Sequence, residues 1–135
     1  KKITMSNKLD KILAEISAGE LIDKITILEI KQIKIKDSEK LKDIEKEISS
    51  LNSTLKKTIS DLSKIKILIE ELKSINLKLW DIENGKRLAE KNKDFGIKFV
   101  ELSRSVYKNN DLRAKIKLEI NNILGSNIKE VKSHN

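Results

Sequence analysis

The stretch LKDIEKEISSLNSTLKKTISDLSKIKILIEELKSINLKL, residues 41–79, decides the fold. Counted in sevens it places Leu41, Ile48, Leu55, Leu62 and Ile69 at one apolar position. Ile44, Leu51, Thr58, Ile65, Leu72 and Leu79 fall at the other, which is the seam of a coiled coil. Neither proline nor glycine occurs between Gly19 and Gly85, so nothing in the backbone chemistry interrupts a helix there. The pattern predicts one long helix from about residue 38 to about residue 79. Its second half adds Ile67, Leu68, Ile75 and Leu77, a face wide enough for several neighbours.

Upstream, Ser17-Ala18-Gly19-Glu20 has the form of a capping box and predicts a helix over about 18–36, with Asp37 ending it and capping the next. Leu9, Ile12, Leu13 and Ile16 stand at helical spacing and predict a short helix or an arm on the bundle. Downstream the seam turns polar at Asn76, Glu83, Lys86, Glu90 and Lys93, with a break expected near Asn84-Gly85. Asp94 then offers a cap for a helix of about 95–107, with Phe95, Phe99, Leu102 and Val106 inward. Asn109-Asn110-Asp111 restarts the chain, and a last helix of about 111–124 stops at Gly125. On it Arg113, Lys117 and Asn121 line up at i, i+4 and i+8. The expected architecture is all-α, a helical bundle built on a long coiled-coil hairpin with additional short C-terminal helices. Residues 1–17 form an arm or short helix, 18–125 the bundle domain and 126–135 a tail.

Composition narrows the chemistry. The 135 residues contain no cysteine, which removes disulfides, thiolate metal sites and cysteine nucleophiles. The one histidine, His134, lies next to the C-terminus, so no histidine catalysis and no metal site is expected. No apolar run approaches the roughly 20 residues of a membrane span, and the reading is a cytoplasmic protein without a membrane partner. A net charge of +8 ordinarily invites nucleic acid, but here lysines alternate with acids, as in Lys40, Lys42, Asp43, Glu45, Lys46 and Glu47. That is a solvated helix face, and no basic stripe with interleaved aromatics accompanies it.

Arginine behaves differently. Arg87, Arg104 and Arg113 are the only three, and all fall within 27 residues. A guanidinium offers the rigid fork for phosphate or carboxylate that lysine lacks. The same region holds Trp80 and Tyr107 as stacking faces and Asn110 as an amide, and Trp80, Glu83, Arg87 and Glu90 share one helix face. Against this stands the bland alternative, in which Trp80 anchors a core and each arginine pairs with Glu83, Glu90 or Glu101. Glu20 and Asp23 with Glu83 and Glu90 also resemble the acid pairs of magnesium-dependent nucleotide hydrolases. Lys24, Lys86 and Arg87 interleave them, however, and no phosphate loop or nucleophile elbow is present.

Three blocks carry a resemblance. They are Gly19-Glu20-Leu21-Ile22-Asp23-Lys24 running on to Lys31, then Leu79-Trp80 with Glu83, Arg87 and Glu90, then Ser103-Arg104-Ser105-Val106-Tyr107 with Asn110, Asp111, Arg113, Ala114 and Lys117, closed by Gly125-Ser126. Together, over about residues 18–132, they resemble a family of small helical proteins of unknown function from bacteria and their phages. The lysine-rich N-terminus and Asn84-Gly85 depart from its pattern. The resemblance implies that Glu20, Asp23, Lys24, Glu83, Arg87, Arg104, Tyr107, Asn110, Asp111, Arg113 and Lys117 matter beyond packing, and it implies no activity.

The functional expectation is a non-enzymatic homo-oligomer that captures a small anionic molecule, a nucleotide or sugar phosphate, and so sequesters a signalling nucleotide. The ligand contacts expected are Arg87, Arg104, Arg113, Lys117, Tyr107, Asn110, Trp80, Glu83, Asp23 and Lys24, with no cofactor. A structural coiled-coil adaptor and a magnesium-dependent nucleotide hydrolase are the alternatives.

Overall fold

The computed structural model describes residues 8–132. Among them lie four α-helices and no strand: α1 (Ala18–Lys34), α2 (Ser38–Thr58), α3 (Lys66–Lys91) and α4 (Ile97–Leu124). The all-α expectation holds. The first helix is the hub of the arrangement, since it packs against each of the other three, whereas α2 packs on α1 alone and α3 pairs along its length with α4. None of these helices is long and apolar enough to cross a membrane.

The expected caps Ser17, Asp37 and Gly125 form, whereas Asp94 does not cap α4, which starts at Ile97 on Gly96 without a side-chain cap, Asp94 Oδ1 accepting only from the Gly96 amide. Ser17 Oγ accepts from the Glu20 amide at 3.1 Å, and Asp37 Oδ1 accepts from Glu39 and Lys40. Gly125 takes the left-handed conformation, φ 67°, while the Ser126 amide reaches back to Asn121 O at 2.9 Å. Only half of the predicted capping box forms, because the Glu20 carboxylate turns to Lys117 instead of its own backbone.

Three predicted boundaries are corrected. The single helix over 38–79 is two helices, since Ile59 is extended (φ −124°, ψ 108°) and a 3-10 turn, Ser63–Ile65, intervenes. Asp61 Oδ1 accepts the Ser63 amide at 2.9 Å, a local bond that competes with the helix. The turn drops Ile65 fully into the core, and burying one isoleucine is worth roughly 1.5–3 kcal/mol, enough to hold a break that the backbone alone resists. Second, α3 runs through Gly85 to Lys91, where Lys93 at φ 56° turns the chain and the Asp94 amide reaches Ala89 O. A mid-helix glycine costs only about 1 kcal/mol, and here it admits Leu102 of α4 close to the backbone. Third, no break occurs at Asn109-Asn110-Asp111. Asn109 bonds to Ser105 O, one turn back, so the two short C-terminal helices are one helix of 28 residues.

Residues 8–16 form an arm rather than a helix, with Leu9, Ile12 and Leu13 exposed. The core comprises Ile22 of α1, Ile65, Leu72 and Ile75, and Ile116 and Ile120 of α4, with Leu55, Ile59 and Leu62 packed against it. The seam from Leu41 to Leu62 is therefore partly covered within the chain, Ile44 being buried and Leu41, Ile48, Leu51, Leu55 and Leu62 half-buried. Thr58 is exposed and bonds to Thr54 O.

Candidate functional site

The start of α1 meets the C-terminal half of α4 at very close range. A Cβ on Gly19 would lie 2.5 Å from Lys117 O, so only glycine permits the approach. The Gly19 amide donates to Asn121 Oδ1 at 2.6 Å, and the Ala18 amide to Ser126 Oγ at 3.0 Å. With Glu20 capped by Ser17, and Leu21 bonded to Ser17 O, every free amide of this helix end is taken. The end of α1 is therefore closed to an external anion, which would need those same donors.

One turn further along, the predicted stripe Arg113–Lys117–Asn121 faces α1. Lys117 Nζ bonds to Glu20, and Asp23 Oδ2 at 3.6 Å and Glu130 Oε1 at 3.5 Å complete its surroundings. Burial alone would lower the Lys117 pKa, but these three carboxylates raise it above its ordinary value, so the amine stays charged and is no nucleophile at neutral pH. Burial likewise pushes Glu20 up, and Lys117 with Lys24 pulls it below the usual carboxylate range. Lys24 itself is half exposed, 3.5 Å from Glu20.

Asp23, only 4% exposed, opens the path to a second group of side chains. Its Oδ1 accepts from Asn76 Nδ2 at 2.8 Å, and the same nitrogen donates to Thr26 Oγ1 at 2.8 Å. Thr26 spends its own proton on Asp23 O, so its oxygen accepts. Both donors of Asn76 thus point inward, and its carbonyl must face outward, where Arg113 donates to it at 3.2 Å. The amide orientation is dictated by the network and in turn aims the guanidinium.

Arg113 and Asn76 form one end of a groove of about 400 Å³ between α1, α3 and α4. Ile27, Ile30 and Leu79 line its apolar part, and Trp80, Glu83, Asn84 and Arg87 complete the rim. Glu83 is half exposed and has Lys86 at 3.8 Å. Within the described residues no arginine nitrogen lies within 4.0 Å of a carboxylate, so none of the ion pairs anticipated with Glu83, Glu90 or Glu101 forms.

Of the predicted contacts, then, Trp80, Glu83, Arg87 and Arg113 share one groove, and Asp23 stands directly behind it. Lys117 and Lys24 belong to the adjoining ion cluster. Asn110 lines a different depression, about 900 Å³, between α4 and the segment after it, which it shares with Lys117, Asn121, Leu118, Glu130 and Val131. Arg104 and Tyr107 are exposed and line neither. Thr26, Asn121, Ser126 and Glu130 were not among the predicted contacts. Asn76 carried a signal, as a polar residue at a seam position, whereas nothing in the tail marked Glu130. Among the described residues no three His, Cys, Asp or Glu side chains gather as a metal site would require. No curated protein and no solved structure matches the chain. The model of a family of unknown function (DUF6165) matches it over residues 12–135, and the chain belongs to that family.

Proposed function

We propose that the protein is a cytoplasmic, non-enzymatic binder of a small anionic molecule, a nucleotide or sugar phosphate, held in the groove of Trp80, Glu83, Arg87 and Arg113. The observation that carries this is that, among the described residues, no carboxylate oxygen lies within 4.0 Å of either groove arginine. A structural arginine is usually held by an ion pair. A recognition arginine is kept open for the ligand and aimed by a neutral partner, as Asn76 aims Arg113. The groove's volume and its apolar floor with a few converging polar groups suit a drug-sized ligand.

Mass spectrometry of small molecules released from the purified protein identifies candidates, and thermal-shift titration ranks them. A genuine ligand raises the melting temperature in proportion to the logarithm of its concentration. Arg87→Ala and Arg113→Ala should each reduce the shift, and Arg104→Ala, outside the groove, should leave it intact. If both groove variants keep the shift, or no anion produces one, a structural adaptor replaces the binder.

Self-association is part of the proposal, on a different surface from the seam. The sequence places the expected dimer on the seam from Leu41 to Leu62, which α1 partly covers, and Leu88, Ile97 and Val100 near the α3–α4 turn, 59%, 80% and 50% exposed, are apolar surface the bundle leaves uncovered. Light scattering showing a monomer at high micromolar concentration would remove this part alone.

A further inference from the structure

We propose that the groove ligand carries phosphates at two separate positions of one sugar, from which a planar, donor-bearing base also projects, as in a nucleoside 3′,5′-bisphosphate. This deepens the binding reading above and rests on it.

The groove's polar residues are ordered along α3. Asn76, Trp80, Glu83 and Arg87 follow one another by three or four, Asn84 stands four beyond Trp80, and all five line the groove. Asn76 and Arg87 are eleven residues apart, about 16 Å of helix. Arg113 enters at the Asn76 end, because Asn76 Oδ1 fixes its guanidinium, and Arg87 enters at the other. Two guanidinium groups therefore stand toward opposite ends of the groove, and neither has a carboxylate within 4.0 Å among the described residues. A ligand with a single phosphate satisfies one of them and leaves the other facing apolar wall.

The middle of the groove has the opposite requirement. Glu83, with only Lys86 near it at 3.8 Å, disfavours an anion placed beside it and can accept from an N–H or O–H donor, and Trp80, one turn earlier on α3, lines the same groove with an aromatic side chain. Negative charge is thus welcome at the ends and disfavoured at the centre. A nucleoside with phosphates on two different sugar positions meets this pattern. A nucleotide with the same charge stacked on one position does not.

The probes are adenosine 3′,5′-bisphosphate, ADP, the 3′- and 5′-monophosphates of adenosine and inorganic phosphate, measured by titration calorimetry on the full chain. The bisphosphate should bind about tenfold or more tighter than ADP, since each end contributes a charge-assisted pair. Arg87→Ala and Arg113→Ala should each bring it to the level of a monophosphate, with unfolding curves confirming that both variants fold. Arg113→Lys, which keeps the charge, should recover part of the loss. Equal affinity for ADP and the bisphosphate overturns the two-ended ligand while leaving the anion groove in place. So does one arginine carrying the whole effect. Failure of every phosphate probe to bind overturns both.

Discussion

Gly19→Ala tests the closest contact in the molecule. The added methyl would sit 2.5 Å from Lys117 O, a backbone atom that cannot swing aside, and 3.0 Å from Asn121 Oδ1. Restoring ordinary contact requires α1 and α4 to part by about 0.9 Å. Overpacking of this kind costs about 1–3 kcal/mol. The same movement stretches the 2.6 Å bond from Gly19 to Asn121, whose side chain is 1% exposed, and weakening a buried bond adds about 1–3 kcal/mol. Alanine's better helix propensity returns less than about 1 kcal/mol. The net loss is about 1–6 kcal/mol, and in a chain of this length, at about 4 °C per kcal/mol, the melting temperature falls by about 4–24 °C. Circular dichroism at 222 nm during heating, with urea unfolding at 25 °C, measures it. Gly85→Ala is the internal control. Its methyl meets only Leu102 Cδ1, at 3.2 Å, a side-chain tip that can yield, in the middle of α3. That variant should be neutral or up to about 1 kcal/mol more stable. A Gly19→Ala protein melting within about 2 °C of the parent would refute the close crossing.

Further outcomes follow from the polar network. Glu20 has a lowered pKa, so its contribution is present above its ordinary 4.5 and is lost as the pH falls through the lower folded value. Lys117 is raised, so its contribution holds below 10.5 and is lost as the pH climbs through the higher folded value. Urea midpoints against pH should show both shoulders, and Lys117→Met should flatten them. Asn76→Asp places a second carboxylate against Asp23 and should lower the urea midpoint at pH 7, with part of the loss regained at pH 5 as the pair takes up a proton. Gly125→Ala meets no atom within 4 Å but holds φ 67°, so it should cost about 1 kcal/mol of backbone strain in urea unfolding. Lys93→Gly, at φ 56°, should gain a similar amount.

Features governed by neighbours in sequence were legible before the structure. Ser17, Asp37 and Gly125 mark helix ends because their side chains, or the lack of one, act within a single turn. The Arg113–Lys117–Asn121 stripe was legible for the same reason, since helical spacing fixes a common face. What escaped was decided by distant contacts. The heptad runs unbroken across residues 59–65, and the pull of the core on Ile65, helped by the local Asp61–Ser63 bond, turns the chain there. Gly85 and Asn109-Asn110 resemble stops, yet the long pairing of α3 with α4 overrides such modest local penalties. Arg104 and Tyr107 belong to the same sequence block as Arg113, but lie on a part of α4 that meets neither the hub nor the groove. Sequence proximity grouped them, and helix rotation separates them.

The bonds that secure the start of α1 join residues far apart in the chain: Ala18 with Ser126, Gly19 with Asn121, Ser17 with Glu130. The last spans 113 positions. Loop closure over such separations is entropically the most demanding step available to this chain, whereas the α3–α4 hairpin needs only a short turn. On the ribosome α1 has only its local Ser17 cap until residues 121–130 have emerged, and the cross-chain bonds to Ala18, Gly19 and Ser17 close only then. A chain cut just before Ser126 is a mimic of that stage: the helices α3 and α4 are complete, and the start of α1 frays for want of Ser126 and Glu130.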